Sequence, residues 1–121
     1  MKKESGKHKV APAGHKSLDD AQLQAVAQLF GVLSEGSRLR ILQTLQAGPS
    51  SVGDLVDRSG LKQANVSKQL AILQSAGIID RRQDGNRAIY SIKLPLVFEL
   101  CDLVCQGVAR QAAERAAMLG R

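Results

Sequence analysis

The segment that most constrains the fold is residues 60–77, a stretch with a glycine at each end. Its apolar residues Val66, Leu70 and Leu73 recur at the spacing that lines one face of an α-helix. The opposite face is small, polar and basic, which lets the helix backbone approach another surface closely. That face holds Ala64, Ser67, Lys68, Ala71 and Ser75. The pattern predicts an amphipathic helix, which is either an ordinary surface helix or a helix held in a DNA major groove.

Polar side chains crowd the first turns of this predicted helix. Amides can bond the edge of adenine, whereas serine hydroxyls and lysine amines can reach bases or phosphates. We therefore predict DNA contacts from the polar residues of these turns. They are Gln63, Asn65, Ser67, Lys68 and Gln69.

A short helix is predicted just before this segment, because Ser51 and Asp54 have the spacing of an N-terminal cap and Gly60 supplies a stop. Two helices joined by a tight turn, the second with a polar outer face, form a helix-turn-helix. Two further helices are predicted upstream, capped by Ser17 and Ser37. The first carries a helical apolar stripe, and the second is expected to turn three leucines inward. The stripe comprises Leu23, Val26, Ala27, Phe30 and Leu33, and the inward leucines are Leu39, Leu42 and Leu45.

Two β-prone runs follow the helix-turn-helix, at residues 78–82 and 88–92, with the turn formers of residues 83–87 between them. They predict a β-hairpin with basic side chains near its tip. A basic hairpin in this position is a wing, which is placed to contact the neighbouring DNA backbone or minor groove. The alternative is a solvated hairpin whose arginines only aid solubility. The predicted wing contacts are Arg81, Arg82 and Arg87.

The last predicted helix opens at Pro95, a residue tolerated at the first helical position. Its apolar stripe comprises Val97, Phe98, Cys101, Val104, Cys105, Val108 and Ala112. Such long stripes on both terminal helices favour a homodimer that buries them, with two recognition helices facing a pseudo-palindromic site. The predicted fold class is mostly α with a β-hairpin wing, an α+β winged helix-turn-helix that is dimeric through its first and last helices.

Composition narrows the choice of partner. The net charge of +6 and the pI of about 9.8 suit a polyanion, and only 2% of the 121 residues are aromatic, which disfavours single-stranded nucleic acid. No apolar run approaches the ~20 residues of a membrane span, and no secretory signal is recognisable. Two cysteines without an export signal indicate reduced thiols. We expect a bacterial cytoplasmic protein at the nucleoid, with no membrane partner.

Residues 1–16 hold five lysines against one glutamate, without periodicity, and predict a disordered basic tail before a single domain at residues 17–118. Enzyme activity is not expected, because there is no glycine-rich phosphate loop and no clustered carboxylates. The chain's two histidines, His8 and His15, both lie in the tail. A module that only binds proteins would not need the basic helix face and wing.

The sequence resembles the ArsR/SmtB family of bacterial winged-helix repressors over residues 23–92, and more loosely through the last helix. The most specific segments are RLRIL, NVSKQLAIL, AGII and GNRAIYSI. The resemblance implies a dimeric repressor that leaves double-stranded operator DNA when an inducer binds. It places the recognition helix at residues 63–75 and the wing at residues 81–87. An activator or an architectural protein is the alternative within regulation.

Three departures from the family pattern bear on what is sensed. The helix before the recognition helix keeps Asp54 but has no cysteine, so the family's cysteine-bearing metal box is absent. No histidine follows His15, so the zinc site on paired C-terminal helices is absent as well. Gln69 stands where the family commonly has a histidine.

The residues that remain as candidates for binding a soft ligand are Cys101 and Cys105, which lie one turn apart on one face of the last helix. The pair is a candidate site for a thiophilic ion such as As(III), with a third ligand from across the dimer, or for oxidants or reactive sulfur. An intrahelical disulfide would be strained at this spacing. Alternatively, both cysteines are small buried hydrophobes, and the inducer is different or absent. No cofactor is required.

Overall fold

The structure is a computed structural model that describes residues 17–120. The predicted tail, including both histidines, lies outside the described residues. The helices are α1 (Asp20–Leu33), α2 (Gly36–Gln46), α3 (Val52–Ser59), α4 (Gln63–Ser75) and α5 (Pro95–Leu119), and the strands are β1 (Ser50–Ser51), β2 (Ile79–Asp84) and β3 (Arg87–Ile92). The mostly helical class with a β-hairpin is confirmed. Over residues 17–120, no helix combines the length and apolarity needed to cross a membrane.

The first two helices begin at caps other than those predicted. The Asp19 carboxylate accepts a hydrogen bond from the backbone N–H of Gln22 at 2.7 Å, while the Asp19 N–H donates to the Gln22 side chain at 2.9 Å. This reciprocal pair needs an amide or a glutamate at the third helical position. A helix capped by Ser17 would have Asp20 at that position instead. In α2 the cap is Glu35, which accepts from the N–H of Arg38 at 3.0 Å. The predicted caps at Ser17 and Ser37 were therefore wrong.

The caps of α3 are as predicted. The Ser51 hydroxyl accepts from the N–H of Asp54 at 3.2 Å, and Gly60 ends the helix with a φ of 75° in the left-handed region. Glycine adopts this conformation without the steric cost that a Cβ would impose. The tight turn that follows sets the start of α4, whose observed bounds match the predicted recognition helix.

The sheet has three antiparallel strands in the order β1-β3-β2. β2 and β3 pair from Ile79 and Ile92 to Asp84 and Arg87, so the loop is two residues rather than the predicted five. Gly85 has a φ of 64°, which suits the tight turns that match the twist of a hairpin. The short strand β1 was not predicted. It pairs Ser50 with Tyr90 and thereby attaches the hairpin to the helical body.

The core lies between α2, α3, α4 and the base of the hairpin. Its buried members are Leu33, Ile41, Leu42, Leu45, Leu55, Val66, Leu70, Leu73, Ile78, Ile79, Val97 and Cys101. The predicted inward residues of α4 are thus confirmed. In α2 the prediction for Leu39 was wrong, because this side chain is 42% exposed while Ile41 is fully buried. The core-facing stripe of α2 runs through its second and third turns, and Leu39 lies beside it.

Truncating a core side chain should destabilise the fold. Leu55 is fully buried in α3, so we expect Leu55→Ala to lower the free energy of unfolding by about 2–5 kcal/mol. Chemical denaturation at a fixed protein concentration measures this change. The matched control is Leu119→Ala, because Leu119 is 80% exposed and should change stability little. Equal effects of the two substitutions would contradict the placement of the core.

Most of the apolar stripe of each terminal helix is exposed on the single chain, and this is the surface that the predicted homodimer would bury. In α1 only Leu33 is buried, and in α5 only Val97 and Cys101 are. The exposed apolar side chains of the two helices include Leu23, Val26, Phe30, Phe98, Val104 and Val108. Contiguous apolar surface of this kind marks an interaction site rather than a solvated face.

Candidate nucleic-acid interface

The outer face of α4 is open to solvent. Gln63, Ser67 and Lys68 are exposed, and Ala64 beside them keeps that face shallow. The Lys68 ammonium has no hydrogen-bond or ion-pair partner within the described part of the chain. The opposite face of α4 is anchored in the core, which holds the exposed face rigidly. The arrangement suits insertion of a helix into a groove that carries negative charge.

Two predicted contact residues of α4 bond to the domain itself. The Gln69 side chain is 5% exposed, accepts from Arg38 Nη1 at 3.0 Å and donates to Asn65 Oδ1 at 2.8 Å. The expectation that Gln69 contacts DNA is therefore corrected, because its amide is buried between α2 and α4. Asn65 is half-buried and donates from Nδ2 to Ser37 Oγ at 3.2 Å. The residue as a whole keeps part of its surface exposed.

Two of the three predicted arginines of the wing lie on β2. Arg81 and Arg82 are exposed, and Arg81 Nη2 donates to Gln83 Oε1 at 3.3 Å. The Arg82 side chain forms no hydrogen bond or ion pair with any other described residue. Both side chains lie on β2, the outer strand of the hairpin, so they add positive charge beside the helix-turn-helix.

Arg87 bonds back to the domain although its side chain is 60% exposed, so its predicted DNA contact stays a prediction and competes with these bonds. Its Nη2 donates to Ser51 Oγ at 2.7 Å and to Asp54 Oδ2 at 3.2 Å. The reason is the pairing of β1 with β3, which brings the N-terminus of α3 beside the hairpin. The ion pair is more than half exposed and contributes little to stability. Its main effect is to fix where this arginine points.

The N-terminus of α4 is a feature that the sequence reasoning missed. Lys62 occupies the N-cap position, is exposed and makes no side-chain cap. The first N–H groups of α4 therefore have no side-chain acceptor, unlike those of α3, which Ser51 caps. Uncapped N–H groups and a lysine favour a phosphate at this end of the helix. The sequence feature that could have revealed this uncapped helix start is the lack of Ser, Thr, Asp or Asn at position 62.

The two cysteines differ in environment although they share one side of α5. Cys101 is buried and Cys105 is exposed. Burial raises the pKa of the Cys101 thiol, and the charge of Cys105 raises it further. Both residues border an open groove of about 660 Å³ between the end of α1, α2 and α5. Over residues 17–120, no cluster of three or more His, Cys, Asp or Glu residues could hold a metal ion.

The difference between the cysteines predicts unequal reactivity. We expect iodoacetamide to alkylate Cys105 several-fold faster than Cys101 at pH 7.5, because Cys105 is exposed and thiolate formation at Cys101 is disfavoured. The rate at Cys101 should keep rising into the alkaline range, because the pKa of its thiol is raised. Peptide mass spectrometry resolves the two sites. In a Cys105→Ser variant the pKa of Cys101 should fall but stay raised, because burial remains; equal rates in the wild type would refute the assignment.

The same architecture occurs in known transcriptional regulators. Residues 33–82 match the model of a helix-turn-helix domain. The HTH-type transcriptional regulator Rv0081 of Mycobacterium tuberculosis is 39% identical over 94 residues, which cover 77% of this chain and 82% of the relative. The homodimeric winged helix-turn-helix domain of Mb0332 from Mycobacterium bovis, a possible ArsR-family regulator, superposes with a TM-score of 0.69 at 33% identity, covering 86% of this chain and 95% of that one. The chain belongs to the ArsR/SmtB family.

Family membership confirms the predicted winged helix-turn-helix and the class of DNA-binding transcriptional regulators rather than enzymes. Another family structure, the AntR antimony-specific transcriptional repressor, gives a TM-score of 0.78 at 28% identity and covers 89% of this chain and 98% of that one. Within this ArsR/SmtB chain, α3 and α4 form the helix-turn-helix, and β2 and β3 form the wing.

Proposed function

We propose that this chain is a homodimeric repressor that binds double-stranded operator DNA through α4 and the wing and dissociates when a thiophilic inducer reaches Cys101 and Cys105. The observation that carries the proposal is the exposed polar face of α4, which is accompanied by exposed arginines on β2, the strand that follows α4 in the chain. The proposed contacts are Gln63, Ser67, Lys68, Arg81 and Arg82, with Asn65 at the edge and Lys62 at a phosphate.

Dimerisation is supported by the exposed apolar faces of α1 and α5. Phe30 is 54% exposed and Val108 is 59% exposed, which is costly for side chains of this size. A second copy of this chain is the partner that fits best, because it always carries the same apolar faces of α1 and α5. Its two-fold symmetry would place two copies of α4 about one DNA turn apart, as a pseudo-palindromic operator requires. The Mb0332 domain, which shares this fold, is homodimeric.

The nature of the inducer rests on the groove beside α5. Cys105 is accessible from solvent and Cys101 borders the same groove, so a soft ion such as As(III) or a reactive sulfur species or oxidant would meet both thiols. At this groove, the described residues of one chain offer two thiols and no third ligand. A three-coordinate ion therefore needs a further ligand from the partner subunit. Relatives named for such ions include AntR and a probable mercury resistance operon repressor of Streptomyces lividans.

A second reading of the cysteines also has an observation in its favour. Cys101 is a member of the hydrophobic core, and its raised pKa keeps it as a neutral thiol. Buried cysteine often serves only as a small hydrophobe. In this case the chain remains a winged-helix repressor, and its inducer is different or absent.

The experiment is a duplex DNA titration with a fragment from upstream of the protein's own gene. It is run with reduced protein, then with arsenite, zinc, a persulfide donor and peroxide. Release by one of these agents, lost in the Cys101→Ser/Cys105→Ser variant, is the expected result, with a fall in affinity of about 5- to 150-fold. Release that persists in the variant would favour the second reading. Salt-insensitive binding, or no binding, would refute the DNA-binding proposal itself.

A further inference from the structure

A closed set of side-chain hydrogen bonds joins the start of α2 to the first turns of α4. Arg38 Nε donates to the Val32 carbonyl at 2.6 Å, and Arg38 Nη1 donates to Gln69 Oε1 at 3.0 Å. Gln69 Nε2 donates to Asn65 Oδ1 at 2.8 Å, and Asn65 Nδ2 donates to Ser37 Oγ at 3.2 Å. Ser37 and Arg38 are neighbours in α2, and Asn65 and Gln69 lie one turn apart in α4, so the circuit closes on itself.

The arginine fixes the direction of every bond in this circuit. A guanidinium can only donate, so Gln69 must present its oxygen to Arg38 and therefore its nitrogen to Asn65. Asn65 must then present its oxygen to Gln69 and its nitrogen to Ser37. One N–H and one oxygen lone pair of Asn65 remain unused, in a fixed order, and the residue is half-buried at the edge of the exposed face.

We propose that Arg38 and Gln69 are positioning residues that fix the orientation of the Asn65 amide and so determine which base edge it reads. This inference rests on the proposed binding of operator DNA. Recognition of a base edge by an amide requires a donor and an acceptor in the correct order. A freely rotating amide can present its donor and acceptor in either order, whereas the hydrogen bonds of the circuit hold the Asn65 amide in one order.

One near-isosteric substitution reverses the order without removing the circuit. In Gln69→Glu, one carboxylate oxygen still accepts from Arg38, and the other faces Asn65 as an acceptor. Asn65 must then turn its nitrogen toward position 69 and its oxygen toward Ser37, whose hydroxyl can rotate to donate. The unused donor and acceptor of Asn65 thereby exchange places. A role confined to stability would leave the base preference unchanged.

The test is selection from a pool of random duplex DNA by the full-length wild type and by Gln69→Glu, Asn65→Ala and Gln74→Glu. Gln74 is exposed on the same helix, so its substitution is the matched control for the added negative charge. We expect Asn65→Ala to lose the preference at one position per half-site, by about 5- to 150-fold in relative affinity. Gln69→Glu should lose or change the preference at that same position, and Gln74→Glu should keep the wild-type motif.

A wild-type motif from Gln69→Glu, or an unchanged preference in Asn65→Ala, would overturn the inference while leaving the DNA-binding function intact. A wild type that enriches no motif would instead refute the proposed function and this inference with it. Arg38→Gln gives a second route if Gln69→Glu does not fold. An amide at position 38 can donate or accept, so it no longer fixes the orientation of Gln69 and Asn65. It should weaken the preference at the same position, and an unchanged preference would count against the inference.

Discussion

Replacing Val104 with glutamate is expected to convert the protein to a monomer and to lower its affinity for operator DNA by about 10²- to 10⁴-fold. Val104 is 52% exposed on α5 and borders the groove that also includes Phe30 of α1. A carboxylate there would have to lose its hydration at a dimer interface without a partner. Two recognition helices that are no longer linked lose the gain from effective concentration, which gives the stated range.

Sedimentation or light scattering measures the mass, and titration of labelled duplex measures the affinity. Circular dichroism should show an unchanged helical content, because Val104 is outside the buried core. The control is Gln106→Glu, which places the same charge two residues along α5, on the other side of the helix. A Val104→Glu protein that stays dimeric would show that this face of α5 is not the interface, and a monomer that keeps full affinity would show that dimerisation is dispensable for binding.

Removing two exposed, unpaired cations of the proposed DNA-binding face should weaken DNA binding and make it less sensitive to salt concentration. Lys68 and Arg82 are exposed and have no charged partner within residues 17–120. Each phosphate contact contributes about eight-fold to affinity at 0.1 M salt through the release of counterions. In a dimer, the double variant Lys68→Ala/Arg82→Ala removes two contacts per protomer. Affinity should fall by three or more orders of magnitude, and the slope of log affinity against log salt should become about 3.6 units less steep.

Titrations at several salt concentrations test this result directly. Arg115→Ala is the control, because it removes the same kind of charge from the distal part of α5. It should leave the slope unchanged. Arg87→Ala should also change the slope little, because Arg87 is held by Ser51 and Asp54. A wild-type slope in the double variant would show that the DNA-binding face lies elsewhere.

Local sequence signals predicted the elements that position the site. The buried residues Val66, Leu70 and Leu73 of α4 follow from helical periodicity, whereas its bounds agree with those that the family resemblance implied. The start and end of α3 follow from a serine cap and a glycine stop. Where two possible N-cap residues lie within a few positions of each other, the predicted cap was wrong. At α1 the pair of Asp19 and Gln22 prevailed over Ser17, because reciprocal bonds satisfy two backbone N–H groups together.

The orientation of individual site residues was not predictable, because their partners are distant in sequence. Gln69 lies on a polar stretch of α4, yet Arg38 draws its amide inward across 31 residues. Arg87 lies next to the hairpin turn, yet β1 brings Ser51 within reach across 36 residues. Local sequence patterns span only a few residues, so they cannot show that the members of either pair meet.

By itself, the sequence determined the order of the five helices and the hairpin, because these depend on periodicity, caps and turn formers a few residues apart. The short strand β1 was not among them. Only the tertiary structure decided which polar side chains face outward and that Cys101 is buried while Cys105 is exposed. Those outcomes depend on burial and hydrogen bonding between elements that meet only after folding.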